Sequence, residues 1–83
     1  MILTKEAGKK ILAENLRRIM AEQHVTQEVL AEAAKVSQSL ISKILNEKVS
    51  PDSIDVRNIA EVLQVSQDDL HAPPQKKSFR KTG

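Results

Sequence analysis

Cysteine is absent, so the chain can build neither a disulfide framework nor a thiolate metal site. Histidine occurs twice, at His24 and His71, too far apart in sequence to read as a ligand pair. Glycine also occurs only twice, at Gly8 and Gly83, which excludes a glycine-rich phosphate loop. No apolar run approaches the ~20 residues of a membrane span. The N-terminus, MILTKEAGKK, sets its apolar residues ahead of its lysines, the reverse of a secretory signal. With no thiol nucleophile and no His beside a carboxylate at metal spacing, catalysis has almost nothing to stand on. These absences predict a small cytoplasmic protein that is not an enzyme, carries no cofactor or metal and has no membrane partner.

What is present is short and helical. The 83 residues make one small domain, whose stability must come from compact packing of a few elements. Leu12, Leu16, Ile19 and Met20 fall at i, i+4, i+7 and i+8, an amphipathic stripe that predicts a first helix over Lys9–Gln23, with an extension back toward Thr4 through Gly8. Thr26 is a good N-cap for a second helix ending near Lys35, with Glu28 in its first turn where the helix dipole favours a carboxylate. Ser37 caps a third helix running to about Asn46. Ser50-Pro51-Asp52-Ser53 reads as a stop and restart, with Pro tolerated only in a first helical turn. A fourth helix follows over about Ile54–Gln64, burying Val56, Ile59, Ala60 and Leu63. Ser66-Gln67-Asp68-Asp69 resembles a capping box, with Asp in place of Glu, opening one last turn at Leu70. No segment alternates like a strand. The fold class is all-α, a compact bundle of four to five short helices over residues 1–70, followed by a flexible basic tail over 71–83.

The formal net charge of +2 is unevenly spread. Residues 1–25 hold five basic and three acidic side chains, residues 26–70 four and eight, and residues 71–83 four and none. A basic tail on a mildly acidic body suits a polyanion only if the body also gathers positive charge on one face. The acidic residues Asp52, Asp55, Glu61, Asp68 and Asp69 read as caps and a solvent face, turned away from any phosphate.

Within residues 26–45, TQEVLAEAAKVSQSLISKIL, a thread of Leu30, Ala31, Val36, Ile41 and Ile44 suffices to dock the second and third helices. It leaves Gln38, Ser39, Ser42 and Lys43 pointing outward, short amides and hydroxyls suited to the edges of DNA bases. Taken alone, such a face is the solvated side of an ordinary helix. The surrounding positions give it a context: Thr26-Gln27, Leu30-Ala31, Val36-Ser37, Ser39, Ile41-Ser42, Ile44, Pro51, Ile59-Ala60, Leu63, Val65-Ser66 and Leu70, with Leu16 and Ile19 in the first helix. In this spacing residues 9–70 resemble the Cro/C1-type helix-turn-helix domains of phage lambda repressor and its relatives, the XRE-like regulators.

The resemblance implies roles residue by residue. Gln27 is similar to a glutamine that bonds a phosphate and braces a base-reading glutamine. Gln38 and Ser39 fall in the first turn of the recognition helix, and Ser42 and Lys43 reach the same groove. Gln suits adenine N6 and N7 through a bidentate pair, and Ser is an adaptable donor or acceptor. Phosphate contacts are implied for Gln27, Ser37, Asn46 and Lys48. Three departures stand out. Lys35 and Glu47 replace frequent glycines, and Lys35 is mildly strained if its φ is positive, by about 1–2 kcal/mol. Met20 and Leu45 stand where many members pair an Arg with a Glu; with both partners apolar, no charge is stranded.

The implied function is a sequence-specific transcription regulator, a repressor acting as a homodimer on a near-palindromic operator in double-stranded DNA, encoded by a bacterium or phage and associated with the nucleoid. The rival class is a protein-interaction module of the same fold, an antitoxin or coactivator-like adaptor, with DNA secondary. Apolar residues exposed beyond the core's demand favour the rival, and an exposed Leu40 fits either a partner or a thymine methyl group. The tail reads as a solvated terminus, as an arm that tracks phosphates, or as a link to a protein partner, to which Phe79, the only aromatic, adds little. Deleting residues 73–83 is expected to leave the fold intact. A titration across salt concentrations should lower the slope of log K against log salt by roughly 0.9 for each phosphate contact the tail makes, and an unchanged slope assigns it to solvent.

Overall fold

Helical period and capping chemistry set the elements. The computed structural model describes residues 5–73 and contains α1 (Lys5–Gln23), α2 (Gln27–Ala34), α3 (Gln38–Leu45), α4 (Ser53–Leu63) and α5 (Gln67–His71). Among the described residues there is no strand. The largest fully buried side chains are Leu16 from α1, Leu30 from α2, Ile41 and Ile44 from α3, Leu63 from α4 and Leu70 from α5. Each helix therefore inserts at least one branched aliphatic into a common core, and each such burial stabilises by about 1.5–3 kcal/mol. Met20 and Leu45 lie in that core, as two apolar neighbours should.

Four helices start at a side chain that accepts from the first helical turn. Thr26 Oγ1 takes the Val29 N–H at 3.1 Å, Ser37 Oγ the Leu40 N–H at 3.0 Å, and Asp52 Oδ1 the Asp55 N–H at 2.9 Å. Ser66 Oγ takes the Asp69 N–H at 3.0 Å while the Asp69 carboxylate accepts from the Ser66 N–H at 3.1 Å, so the capping box forms with Asp in the usual Glu position.

The helix ends share a second device. His24, Lys35, Glu47 and Gln64 all have φ between 57° and 62°, left-handed backbone occupied here without a glycine. In each case the left-handed residue donates to the carbonyl three residues back and the next residue to the carbonyl five back, as in Lys35 to Glu32 and Val36 to Ala31. This Schellman closure satisfies carbonyls that would otherwise face outward unpaired. At three junctions the next residue is Val, then a hydroxyl cap, then Gln: His24-Val25-Thr26-Gln27, Lys35-Val36-Ser37-Gln38 and Gln64-Val65-Ser66-Gln67. Val25, Val36 and Val65 pack against the core. One helix thus closes and the next opens within three residues, through a recurring sequence pattern that helical periodicity does not bring out.

α1 includes the expected extension through Gly8 and runs from Lys5, the first described residue. Other boundaries differ from the sequence expectation. α4 starts at Ser53, one residue early, because Asp52 is its cap. Pro51 therefore stands before the cap, outside the helix, in the stop-and-restart segment that the sequence marks. Leu70 does not end the ordered contacts either. Asn15, 2% exposed, donates from Nδ2 to the carbonyls of Leu70 and Ala72, each at 2.8 Å. The tail expectation for residues 74–83, including Phe79, lies outside the described residues.

α1 also closes two other helices. Gln23 Nε2 donates to the Leu63 carbonyl at 2.7 Å, and Arg17 Nη2 to the Leu45 carbonyl at 2.7 Å. Both land on helix C-termini, where donors and positive charge are favoured.

Two stability measurements check this account. Lys35→Gly should raise the thermal midpoint, because Gly carries no Cβ penalty at φ 62°. The gain is up to about 1 kcal/mol, or roughly 4–8 °C for a domain of this size, and a lower midpoint would contradict the left-handed assignment. Asn15→Ala should cost about 1–3 kcal/mol in denaturant unfolding, since it strands the Leu70 and Ala72 carbonyls beside the core.

Candidate nucleic-acid interface

The polar face of α3 follows from its sequence by rotation. At ~100° per residue, Gln38, Ser42, Asn46, Ser39 and Lys43 fall within an arc of ~140°, and Leu40, Ile44, Ile41 and Leu45 within the opposite arc. The second arc is pinned, with Ile41, Ile44 and Leu45 buried and Leu40 half-buried against the core. The first arc must therefore face out. Gln38, Ser39 and Lys43 are exposed, as are Ser37, Asn46 and Lys48, while Ser42 and Gln27 are half-buried.

Local bonds set the polarity that each group presents. Ser37 Oγ is already an acceptor for the Leu40 N–H, which leaves its hydroxyl proton to donate outward, the correct sense for a phosphate oxygen. Asn46 is arranged differently. Its Nδ2 donates to the Ser42 carbonyl at 2.9 Å and approaches Ser42 Oγ at 3.4 Å. The amide that would reach a phosphate closes α3 instead, and must leave Ser42 to act as expected. Gln38, at the first position of α3, has no side-chain hydrogen bond within the described residues, so both its donor and its acceptor are available. Gln27 likewise makes no side-chain bond to Gln38 within the described residues.

The structure does bring Gln27 and Asn46 together. They line one surface depression with Arg17, Thr26, Val25, Met20 and Leu45, between the N-terminus of α2 and the C-terminus of α3. Arg17 is the residue that sequence reasoning passed over. It lies one turn before Met20 on α1. The signal was there in the i, i+3 spacing, which puts both on one side of the helix.

Charge on this side of the molecule is sparse. α3 holds Lys43 and no carboxylate. Glu28 in α2, Asp55 in α4 and Asp68 and Asp69 in α5 sit within first turns, where they complement the helix dipole, and Glu47 follows α3 between Asn46 and Lys48. Among the described residues no three His, Asp or Glu side chains are grouped to hold a metal ion, and no helix is long and apolar enough to cross a membrane.

Two short helices joined by three residues, with the second offering a polar stripe, form a helix-turn-helix unit. The helix-turn-helix family model (HTH_3) matches residues 16–70. The chain belongs to the Cro/C1-type helix-turn-helix family. That family is one of DNA-binding transcription regulators, and the chain is a regulator of this kind. Its fold is similar to a crystal structure described as a hypothetical transcription factor NHTF from Neisseria, with a TM-score of 0.81 and 21% identity over 93% of this chain and 88% of that one. At that identity the likeness is one of fold. No curated protein sequence matches the chain.

Proposed function

We propose that the chain is a sequence-specific repressor that binds a near-palindromic operator as a homodimer, with α3 in the major groove. The observation that carries this reading is the outward stripe of Gln38, Ser39, Ser42 and Lys43 on a helix whose other side is fixed in the core. Gln38 projects from the first turn and offers an amide for a bidentate adenine contact, and Ser39 adds an adaptable hydroxyl. Gln27, Ser37 and Lys48 meet phosphates, and Asn46 joins them on giving up Ser42. These contacts position the helix, while the stripe reads sequence. One domain covers few base pairs, so two copies on a two-fold site are the economical route to specificity. The same reading places the protein with the DNA, in the cytoplasm of a bacterium or a phage host.

One observation favours the rival class of interaction module. Val29 and Ile54 are large apolar side chains exposed beyond the core's demand. Both lie off α3, so they leave the DNA reading standing and point to a second surface.

The test is a binding titration against operator and scrambled duplexes at fixed salt, with the operator selected from a random pool. Gln38→Ala should lose about 1–3 kcal/mol of discrimination at one base pair per half-site, with scrambled-duplex affinity and thermal stability nearly unchanged. Lys48→Ala should weaken binding to both duplexes alike. A Gln38→Ala variant that holds the operator as tightly as the parent removes α3 as the reader.

A further inference from the structure

Val29 and Ile54 are 54% and 59% exposed, and neither helps to fill the core. Val29 lies one turn before Ala33 on α2, and Ile54 one turn before Asn58 and two before Val62 on α4. Residues at this spacing share a helix flank. Ala33 and Ala34 of α2, with Lys35 after them, and Asn58, Glu61 and Val62 of α4 line one groove between the two helices. By helical spacing the two exposed aliphatics lie one turn beyond the lining residues, one on each of the two helices. None of these residues belongs to α3 or to the groups placed at DNA.

The walls also carry opposite charges, Lys35 on the α2 side and Glu61 on the α4 side, both exposed. Among the described residues neither is in an ion pair; the pair found there joins Arg18 to Glu22 at 3.7 Å. A groove lined by Ala33 and Ala34 on one wall and Val62 on the other, with one charge of each sign on opposite walls and an exposed aliphatic further along each helix, is complementary to itself. Under a two-fold rotation the α2 wall of one copy meets the α4 wall of the other, and Lys35 faces Glu61 twice.

We propose that the α2–α4 groove is the surface on which a second copy of this chain docks. The proposal rests on the reading of the chain as a dimer on a two-fold operator and deepens it by naming the interface. Two short helices supply an area at the low end of the ~1,200–2,000 Å² typical of specific interfaces, so the dimer is weak in free solution and is reinforced when both copies hold DNA. Docking here leaves the α3 stripe of each copy uncovered.

Charge exchange tests this directly. Sedimentation equilibrium of the full chain over a concentration series should show reversible self-association. Lys35→Glu and Glu61→Lys should each weaken it by about tenfold or more, equivalent to about 1.4 kcal/mol, because each sets like charges together twice. The double variant should restore the parent's dissociation constant, and thermal melts should show all three variants folded. A chain that stays monomeric at every concentration, single variants that associate like the parent, or a double variant that fails to recover would each overturn the proposal and leave the groove to a different protein or to solvent. Titration against operator and scrambled duplexes separates this from failure of the DNA reading. A monomeric parent whose base preference still depends on Gln38 overturns the docking surface alone. An intact, charge-dependent dimer with no such preference overturns the DNA reading alone.

Discussion

The link between α2 and α3 allows no slack. It is three residues long, and each meets a separate demand. Lys35 turns left-handed so that its N–H and that of Val36 close the end of α2. Val36 returns to the core, and Ser37 opens α3 through the Leu40 N–H. A longer or looser link would let α3 rotate about its own axis, and the stripe from Gln38 to Lys43 would lose its fixed bearing. The left-handed Lys35 costs about 1–2 kcal/mol; the two carbonyl bonds it permits and the burial of Val36 offset that cost. The same solution recurs between α1 and α2 and between α4 and α5, so one local device bends the chain at three corners.

With its corners set locally, the bundle still needs its helix ends anchored across the sequence, and α1 supplies that. Asn15, Arg17 and Gln23 reach the C-terminal carbonyls of α5, α3 and α4. These are polar groups at the rim of an aliphatic core, where an unpaired carbonyl is expensive and a paired one fixes geometry. Arg17 is the most consequential for function, because its partner is the last residue of α3. Met20 and Leu45 are both apolar and buried at this corner, and the Arg17 bond to the Leu45 backbone gives the corner a charged donor without asking for a buried acid.

The division of labour on the surface follows from the same geometry. The carboxylates at helix starts stabilise the fold and leave α3 without negative charge of its own. Asn46, for which a phosphate contact is proposed, has its amide engaged within the chain, where it closes α3. Exchange of that bond for a phosphate contact costs little in net hydrogen bonding, since one acceptor replaces another.

Much of this was legible in the sequence because the signals are local. Helical period placed Leu12, Leu16, Ile19 and Met20 on one stripe, and the hydroxyl and carboxylate caps, read over three residues, opened four of the five helices close to where they begin. The polar stripe of α3 was legible for the same reason, since a helix whose apolar side is known has its other side decided. Amphipathic period could not show which carbonyls Asn15, Arg17 and Gln23 would cap, because their partners lie 55, 28 and 40 residues away. Nor could it show that Asn46 turns its amide back on Ser42, or that the flanks of α2 and α4 meet to form a groove with charges on opposite walls. Local chemistry selects the conformation of each turn and helix, and so the sequence determined the elements and the outward polar face of α3. Pairings between distant residues depend on how those rigid pieces pack, and that only the tertiary structure decided.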